Sequence, residues 1–543
     1  MTPTQKRTFH ILLIISALYF AAFIAPNLTG AREAEMLSVF EIDEYAQYSH
    51  AIRMLTPGET LYQTVRNFFV YLHYFYGYPF YFFSAIAMLP LRLVLGAGFT
   101  TGAYTPLIVM TLRQLVNVLP MLLSAMLLVH MQTQFKSRWK SVALFVLLLI
   151  LPGVVVNNLW WHPDSLATLV VVLTLFFLDR DQLRFGRSFW LAAAACGLGV
   201  GVKYMGAFFV LAIPVYLLWG IAAKKLTWPK ALGKAAIFLA VMFAAFIISN
   251  PLLLLPQERA EIISIQTLQW EQSSVGIILA NQESFFKDGY PPDIRIHYAQ
   301  PFFLLLTFAA LGLGIARKET RLKSSLILAW CLPLSISIIN LGTRRTHYWL
   351  PIMLPLFSTL INLFPEEKLR LAGKDRDWAR IIMAALILVQ AALFMGTNVG
   401  IYASQMQRET QAPAILFYDK LEEQVFDPII LDRQLVVYRD WGVYCPETVQ
   451  RRVTMNWDLA NHAYIADLDP DVILLDRENV LLFSRPEVVS QAVNPGNMRL
   501  MQEFYGAAAR DELPGYMLVL QDGFGYALVR EELAEAFLGS AFP

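Results

Sequence analysis

The stretch FHILLIISALYFAAFIAPNL, residues 9–28, decides the fold class of this chain. It follows Lys6 and Arg7 and is long enough to cross the ~30 Å hydrocarbon core of a bilayer as one helix. The apolar core of a cleaved signal peptide is shorter, at about 7–15 residues. We therefore expect a first membrane-spanning helix that is retained in the protein.

The composition extends this prediction to most of the chain. Of the 543 residues, 57% are hydrophobic and 16% are charged, whereas soluble domains carry about 25% charged residues. The chain is therefore predicted to be a polytopic α-helical membrane protein. A net charge of +1 gives no indication of nucleic-acid binding. The three cysteines show no C-x-x-C metal spacing and no disulfide framework.

Lysine and arginine residues gather in short loops, and these loops set the predicted orientation. The positive-inside rule places such loops, and with them the N-terminus, in the cytoplasm. The clusters are Lys6/Arg7, Lys136/Arg138/Lys140, Arg180/Arg184/Arg187, Lys224/Lys225/Lys230/Lys234, Arg317/Lys318/Arg321/Lys323 and Lys368/Arg370/Lys374/Arg376. An odd number of about eleven transmembrane helices then leaves the C-terminus outside. Beyond the first helix, the predicted spans are Pro106–Met131, Ser141–Leu159, Ser165–Leu178, Phe189–Val202, Gly206–Ile221, Ala235–Leu254, Pro301–Ile315, Ser325–Leu341, Leu350–Phe364 and Ile381–Val399.

One further apolar segment, Tyr78–Leu95, cannot also cross if the basic cluster that begins at Lys136 is to lie inside. It is interrupted by Pro79, Pro90 and Arg92. We therefore predict that it lies at the outer interface as a juxtamembrane helix.

The chain divides into two predicted parts. Residues 1–399 form a transmembrane module with outward loops 29–105, which holds juxtamembrane helices, and 256–300. Residues 400–543 are polar enough for a small extracytoplasmic α/β domain. In it, Pro428–Tyr438 and Asp471–Asp476 are typical of buried strands, and Tyr516–Arg530 is typical of a hairpin that turns at Asp522-Gly523.

Acidic residues stand at two outward boundaries of the membrane module. Asp43 and Glu44 follow the first helix in FEIDEY, residues 40–45, and Asp164 ends the sequence WHPD, residues 161–164. The predicted topology places all three on one side. Carboxylates are costly to desolvate at a membrane and often functional there. The alternative to a functional role is an ordinary solvated pair in a loop for Asp43 and Glu44. For Asp164 the alternative is a helix cap.

Cations occur on the same outer side, against the positive-inside rule. Arg344 and Arg345 begin the short outward loop RRTHY, residues 344–348, and Lys203 lies at another outward turn. An anionic partner would compensate these charges, and snorkelling toward lipid headgroups is the alternative. Arg113, within a predicted span, is a further buried cation, for which structural pairing with an inward-facing acid is the alternative.

These motifs, taken in order, resemble those of the GT-C glycosyltransferases. The set comprises the acidic pair Asp43-Glu44, the sequence His162-Pro163-Asp164, the run Gly197–Gly206, and Arg344/Arg345 with Tyr348 and Pro351. Within that class the first 400 residues look most like bacterial relatives of protein O-mannosyltransferase and aminoarabinose transferase.

The resemblance implies a GT-C-like fold in the inner (plasma) membrane and transfer of a sugar from a polyprenyl-phosphate donor to a lipid, glycan or protein acceptor. The periplasmic or extracytoplasmic face carries the reaction, with inversion. Asp43 maps to the acid that acts in this class as the general base or orients the acceptor, and we expect it to be the base, with Glu44 beside it as an assistant. Some members of this class use a divalent ion (Mg, Mn or Zn) near these acids and others do not; Asp43, Glu44 and Asp164 are the candidate ligands here.

Residue types add two further predictions. The donor phosphate would be bound by Arg344, Arg345, Lys203, His347 and Tyr348, because cations near the leaving oxygen stabilise the charge that develops there. Trp270 and Tyr298, in the outward loop 256–300, are the predicted acceptor contacts, and an ordinary interfacial loop is the alternative for this segment.

Two other functions fit a chain with many membrane helices. The first is a transporter or flippase of a lipid-linked or anionic envelope precursor, which should place its ionisable groups near the bilayer midplane and often shows inverted repeats. The second is a scaffold in envelope synthesis, which would not require the acids. The charges of this sequence gather at one face instead, and this favours the enzyme.

Overall fold

The computed structural model of the chain describes residues 1–280, 284–287, 289–364, 378–429 and 431–534, without the side chains of residues 378–380. The described chain is helical up to Gln411 and mixed α/β after it. The predicted fold class, a polytopic helical module followed by a small α/β domain, is confirmed. The basic cluster predicted at Lys368–Arg376 lies outside the described residues.

The helices of the first part follow one another with short breaks. They are α1 (Pro3–Ala22), α2 (Ile24–Leu28), α3 (Ala34–Phe40), α4 (Ile42–Met54), α5 (Leu61–Phe69), α6 (Tyr78–Leu95), α7 (Thr105–Leu112), α8 (Leu119–Thr133), α9 (Arg138–Leu149), α10 (Pro152–Asn157), α11 (Asp164–Asp181), α12 (Arg187–Val202), α13 (Ala212–Ala222), α14 (Trp228–Ser249), α15 (Pro256–Val275), α16 (Pro292–His297), α17 (Pro301–Ala316), α18 (Arg321–Ile339), α19 (Leu350–Ser358) and α20 (Trp378–Gln411). A π-helical turn, Arg113–Val118, joins α7 to α8.

Every predicted span coincides with one or more of these helices. Seven helical segments among the described residues are long and apolar enough to cross a membrane. They are Pro3–Leu28, Tyr78–Thr100, Gly102–Thr133, Tyr204–Ala222, Trp228–Ser249, Arg321–Ile339 and Ile381–Phe426. The chain is thus a multi-pass membrane protein, and the count of eleven crossings stays a prediction.

Helix α6 is the segment predicted to lie at the outer interface, although its length and hydropathy would allow it to cross. Its first residue, Tyr78, donates its backbone N–H to Asn250 Oδ1 at 3.0 Å. Near its other end, Arg92 Nε donates to the carbonyl of Leu55 at 3.0 Å, just after α4. One end is therefore bound within the predicted outward loop 29–105, and the other is bound shortly before the predicted outward loop 256–300.

The second part of the chain is built on one five-stranded sheet with the order β2-β1-β3-β5-β4. The first three strands in that order are parallel and the last three are antiparallel. The prediction of strands at β1 and β3 and of a hairpin around Asp522-Gly523 is confirmed, and β2 is an addition. The elements are α21 (Pro413–Leu421), β1 (Leu435–Arg439), β2 (Arg451–Thr454), α22 (His462–Leu468), β3 (Val472–Asp476), α23 (Arg477–Phe483), α24 (Val488–Gln491), α25 (Pro495–Ala509), β4 (Tyr516–Gln521) and β5 (Gly525–Arg530).

The C-terminal domain is bound to both predicted outward loops. Glu409, at the end of α20, accepts from the backbone N–H of Gly30. Tyr444 donates its hydroxyl to Glu33. On the other side, Ala280 N–H donates to the carbonyl of Gln491 at 2.8 Å. The domain boundary predicted after residue 399 falls inside α20, which continues to Gln411, and the division into domains stays a prediction.

Candidate functional site

His162 lies at the centre of the candidate site, between the two acids that the sequence singled out. Its Nε2 is 3.8 Å from Asp43 Oδ2 and 2.7 Å from the hydroxyl of Tyr76. Its Nδ1 is hydrogen-bonded to Asp164 Oδ2. The structure therefore brings Asp43 and Asp164 to opposite edges of one imidazole ring.

The two acids differ sharply in their exposure. The side chain of Asp43 is 45% exposed, whereas that of Asp164 is fully buried. Asp164 Oδ1 accepts from Lys203 Nζ at 2.6 Å, and its Oδ2 lies 3.8 Å from His347 Nε2. Asp43 can therefore meet a substrate, while Asp164 holds three basic side chains in place.

Local sequence explains where His162 and Asp164 lie. The backbone of His162 is fixed by Asn117, which accepts from its N–H and donates to its carbonyl. Pro163 stands immediately before α11, so Asp164 occupies the first turn, where a carboxylate interacts favourably with the helix dipole. The indole ring of Trp160 stacks on the imidazole of His162 at 4.2 Å. The imidazole is thus held from three directions.

A close backbone contact holds Lys203 and Tyr76 on either side of this centre. Gly77 N–H donates to the carbonyl of Val202 at 3.4 Å, directly before Lys203. A Cβ at Gly77 would overlap the carbonyl oxygen of Gly201. Only glycine at position 77 permits this approach. Within the glycine run at Gly197–Gly206, a Cβ at Gly201 would meet the side chains of Ser249 and Asn250.

Glu44 takes a different place from the neighbouring Asp43. Arg113 Nε donates to Glu44 Oε1 at 2.8 Å, Arg113 Nη2 binds Oε2, and both side chains are fully buried. Glu44 Oε1 also accepts from the backbone N–H of Trp161. The predicted role of Glu44 as a metal contact or catalytic assistant is therefore revised, because both of its oxygens are already bound. The acid expected to pair with Arg113 is Glu44.

Only part of the cationic loop RRTHY, residues 344–348, lies against the centre formed by His162 and Asp164. His347 is in a short 3-10 turn, Thr346–Trp349, and Lys203 Nζ lies 4.7 Å from the ring centre of Tyr348. Arg344 and Arg345 instead line a cavity of about 340 Å³ with Phe285, Lys287 and Trp349 among others. Burial holds the pKa of His347 well below its usual range, despite the nearby Asp164 carboxylate. His347 is therefore neutral at neutral pH.

The two predicted acceptor residues lie in different environments. Trp270, on α15, is 66% exposed. Tyr298 is fully buried and donates its hydroxyl to the carbonyl of Thr346 at 2.7 Å. The prediction of Tyr298 as an acceptor contact is therefore revised. Its ring is covered, and its hydrogen bond supports the loop that carries His347.

Three side chains have the arrangement of a metal site. Ligand atoms of His162, Asp164 and His347 all lie within 4.8 Å of one another. Two imidazoles and one carboxylate suit Zn²⁺ or another transition ion better than Mg²⁺, which prefers oxygen ligands. The low pKa of His347 favours the neutral form that binds metals. This set shares only Asp164 with the predicted set of Asp43, Glu44 and Asp164.

Sequence reasoning did not assign a role to three residues that build the centre. His162 belongs to the sequence His162-Pro163-Asp164, and its position two residues before Asp164 is the available signal. Tyr76 is one of many aromatic residues in the segment between α5 and α6, and Asn117 lies within an apolar span. Neither carries a local pattern that distinguishes it.

Comparison with known proteins gives one family match and several similar solved structures. Residues 98–259 match the family described as dolichyl-phosphate-mannose-protein mannosyltransferase. No curated protein sequence matches the chain. Among solved structures, ArnT from Cupriavidus metallidurans bound to undecaprenyl phosphate is 12% identical, with 96% of this chain and 97% of that chain covered and a TM-score of 0.48.

Two structures of the Archaeoglobus fulgidus oligosaccharyltransferase are also similar. The apo form is 13% identical over 91% of this chain and 72% of that chain, with a TM-score of 0.51. The complex with Zn and sulfate is 15% identical, with 95% of this chain and 72% of that chain covered and a TM-score of 0.49. The similarity to the apo form shows a common fold. The family match over residues 98–259 includes both Asp164 and Lys203. The chain therefore shares the fold of the Archaeoglobus fulgidus oligosaccharyltransferase, and its residues 98–259 match the mannosyltransferase family.

Proposed function

We propose that this protein transfers a sugar from a polyprenyl-phosphate donor to a hydroxyl group of an acceptor. One observation carries the proposal. A half-exposed carboxylate, Asp43, lies 3.8 Å from a buried cluster in which His162, Lys203 and His347 surround Asp164. A base that substrates can reach stands beside the cluster that holds the ammonium of Lys203, and transfer from a phosphate-linked sugar requires both a base and a cation. The family that residues 98–259 match is described by a dolichyl-phosphate-linked donor.

Asp43 is the proposed general base. An acceptor hydroxyl is a weak nucleophile, and a carboxylate positioned to take its proton in the transition state typically contributes a factor of about 10²–10⁴. Among the three acids singled out by the sequence, only Asp43 has a substantially exposed carboxylate; Glu44 and Asp164 are buried.

Lys203 and His347, which both lie against Asp164, are proposed to bind the donor phosphate. The phosphodiester of the donor carries about one negative charge, and the released monoester approaches two. A cation near the leaving oxygen therefore binds the transition state more tightly than the ground state. Asp164 holds Lys203 in place by the 2.6 Å contact, so we assign Asp164 a positioning role.

Inversion at the anomeric carbon is the stereochemistry we propose. Retention by a covalent intermediate needs a nucleophilic carboxylate about 5 Å from the acid–base carboxylate. Here the ring of His162 separates Asp43 from Asp164, and Asp164 is buried and already bound by Lys203. A single displacement in which Asp43 takes the acceptor proton fits this arrangement.

A metal ion at His162, Asp164 and His347 fits the donor atoms of these residues. Such an ion would act as a Lewis acid toward the phosphate oxygens. The protein's own contribution is to keep His347 neutral and to hold His162 against Trp160, so that both imidazoles are oriented without a metal.

The reaction is proposed to take place at the outer face of the inner (plasma) membrane. The basic loops favour a cytoplasmic N-terminus, and Asp43 lies beyond the first helix. The C-terminal domain binds the loops that carry the site, so it belongs on the same, periplasmic or extracytoplasmic side.

The decisive experiment replaces Asp43 with Asn in the purified full-length protein. Polyprenyl phosphate released from a lipid-linked sugar fraction, in the presence of an envelope extract as acceptor, is measured by mass spectrometry. We expect Asp43→Asn to lower the release at least 100-fold, because the proton acceptor is lost. The midpoint of thermal unfolding should remain unchanged.

Glu59→Gln is the matched control, because Glu59 is an exposed acid in the same outward loop. It should retain wild-type turnover. Wild-type turnover in Asp43→Asn would refute the role of Asp43 as the base. A wild-type protein that releases no polyprenyl phosphate under any of these conditions would refute the proposed function.

A further inference from the structure

The C-terminal domain presents an exposed aromatic ring directly beside the helix that carries Asp43. Trp457 is 51% exposed, and its ring centre lies 6.1 Å from that of Tyr45. Tyr45 is two residues after Asp43 on α4. The guanidinium of Arg439, the last residue of β1, lies 6.0 Å from the ring centre of Tyr45 on the same side of the domain.

Trp457 is held in a fixed turn at the carboxyl ends of the parallel strands. Asn456 Nδ2 donates to the carbonyl of Leu459 at 2.8 Å, and Asn456 Oδ1 accepts from Asp458 N–H. Trp441, which follows β1, donates its indole N–H to the carbonyl of Asn456 at 3.0 Å. The large ring is therefore exposed on a rigid support, although exposure of apolar surface is unfavourable.

The polar groups beneath this turn are organised as a scaffold. Buried Asp440 accepts from Tyr438, Tyr505, Asn479 and the backbone N–H of Asp476. These bonds tie the end of β1 to the end of β3. In open α/β sheets, ligands bind outside the carboxyl ends of the parallel strands. In this protein that edge faces α4.

We propose that Trp457 and Tyr45 form a binding platform for a sugar ring of a glycan acceptor; this rests on the proposed function. The exposed ring of Trp457, with the half-buried ring of Tyr45 beside it, matches the apolar face of a pyranose. The carboxylate of Asp458 and the carbonyls of the turn supply partners for its hydroxyls. Tyr45 and Asp43 project from different sides of α4, which is about 10 Å wide with its side chains. The sugar on the platform is therefore a neighbour of the sugar that carries the reacting hydroxyl.

The test separates acceptor binding from donor chemistry. Purified full-length protein is given a lipid-linked sugar fraction alone, which reports slow hydrolysis, or with increasing amounts of an envelope glycan extract, which reports transfer. Polyprenyl phosphate is quantified in both series. We expect Trp457→Ala to raise the half-saturating amount of extract about tenfold, because one aromatic contact is lost. Hydrolysis should remain unchanged. Trp457→Phe should lie between Trp457→Ala and the wild type.

Trp228→Ala is the matched control, because Trp228 is 63% exposed at the start of α14. It should match the wild type in both series. An unchanged dependence on extract in Trp457→Ala would overturn the proposal, and so would an equal loss of hydrolysis and transfer. Periodate treatment of the extract should abolish transfer. Loss of transfer after protease treatment instead would identify a protein acceptor and overturn the glycan assignment. Absence of both reactions in the wild type would overturn the proposed function itself.

Discussion

Arg113 binds Glu44 through both carboxylate oxygens, with neither side chain exposed. The pair joins residues 69 positions apart in the chain. Arg113 Nη1 also donates to the carbonyls of Asn27 and Thr29. One side chain thus connects the end of the first helix segment, the π-helical turn after α7 and the helix that carries Asp43.

Removal of one partner of this pair should destabilise the protein strongly. We expect Arg113→Met to lower the free energy of unfolding by about 3–5 kcal/mol, because a buried carboxylate would be left without its counter-ion. Urea-induced unfolding in detergent micelles measures the change. The double variant Arg113→Met/Glu44→Gln should recover part of the loss. A loss below about 0.5 kcal/mol, as expected of an ordinary surface substitution, would contradict the structural role of this pair.

The sequence predicted the common location of Asp43 and Asp164 because the positions of basic loops fix the side on which each helix ends. It could not separate Asp43 from Glu44. Successive side chains on a helix point about 100° apart, so their roles depend on how α4 is rotated against its neighbours. That rotation is set by Arg113, whose partner is distant in sequence.

The C-terminal sheet likewise contains an element that local sequence does not predict, because tertiary pairing determines it. Strands β1, β3 and β5 are nearly continuous apolar runs and were recognisable. Strand β2, with the sequence RRVT at 451–454, has no such pattern because it lies at the edge of the sheet. Its register beside β1 comes from tertiary pairing. The contact of Trp457 with Tyr45 depends on this pairing, and neither residue is distinctive in the sequence.

Metal binding should depend on His347. If His162, Asp164 and His347 hold an ion, protein dialysed against Zn²⁺ should retain about one equivalent, measured by inductively coupled plasma mass spectrometry. We expect His347→Ala to lose most of it, because two remaining ligands do not make a stable zinc site. His297→Ala, which changes a histidine outside this set, should retain the ion. Equal zinc content in all three proteins would contradict the site.

Glu41 should make stability dependent on pH. Burial, reinforced by the charge of Glu44, raises the pKa of Glu41 to about 8. A carboxyl whose pKa is higher in the folded state binds more protons when folded, so stability falls as pH rises from its unfolded pKa toward 8. We expect Glu41→Gln to unfold at a higher temperature than the wild type at pH 8.5, with a smaller difference at pH 5. Parallel pH profiles for the two proteins would contradict the raised pKa.

Gly77 should be required for the geometry of the site. A Cβ at this position would overlap the carbonyl oxygen of Gly201, so Gly77→Ala must separate the segment that carries Tyr76 from the end of α12 that carries Lys203. We expect lower turnover together with a lower unfolding temperature. Gly102→Ala is the matched control, because nothing lies within 4 Å of a Cβ there, and it should leave both quantities unchanged. Turnover and stability equal to those of the wild type in Gly77→Ala would show that this close approach does not position Lys203.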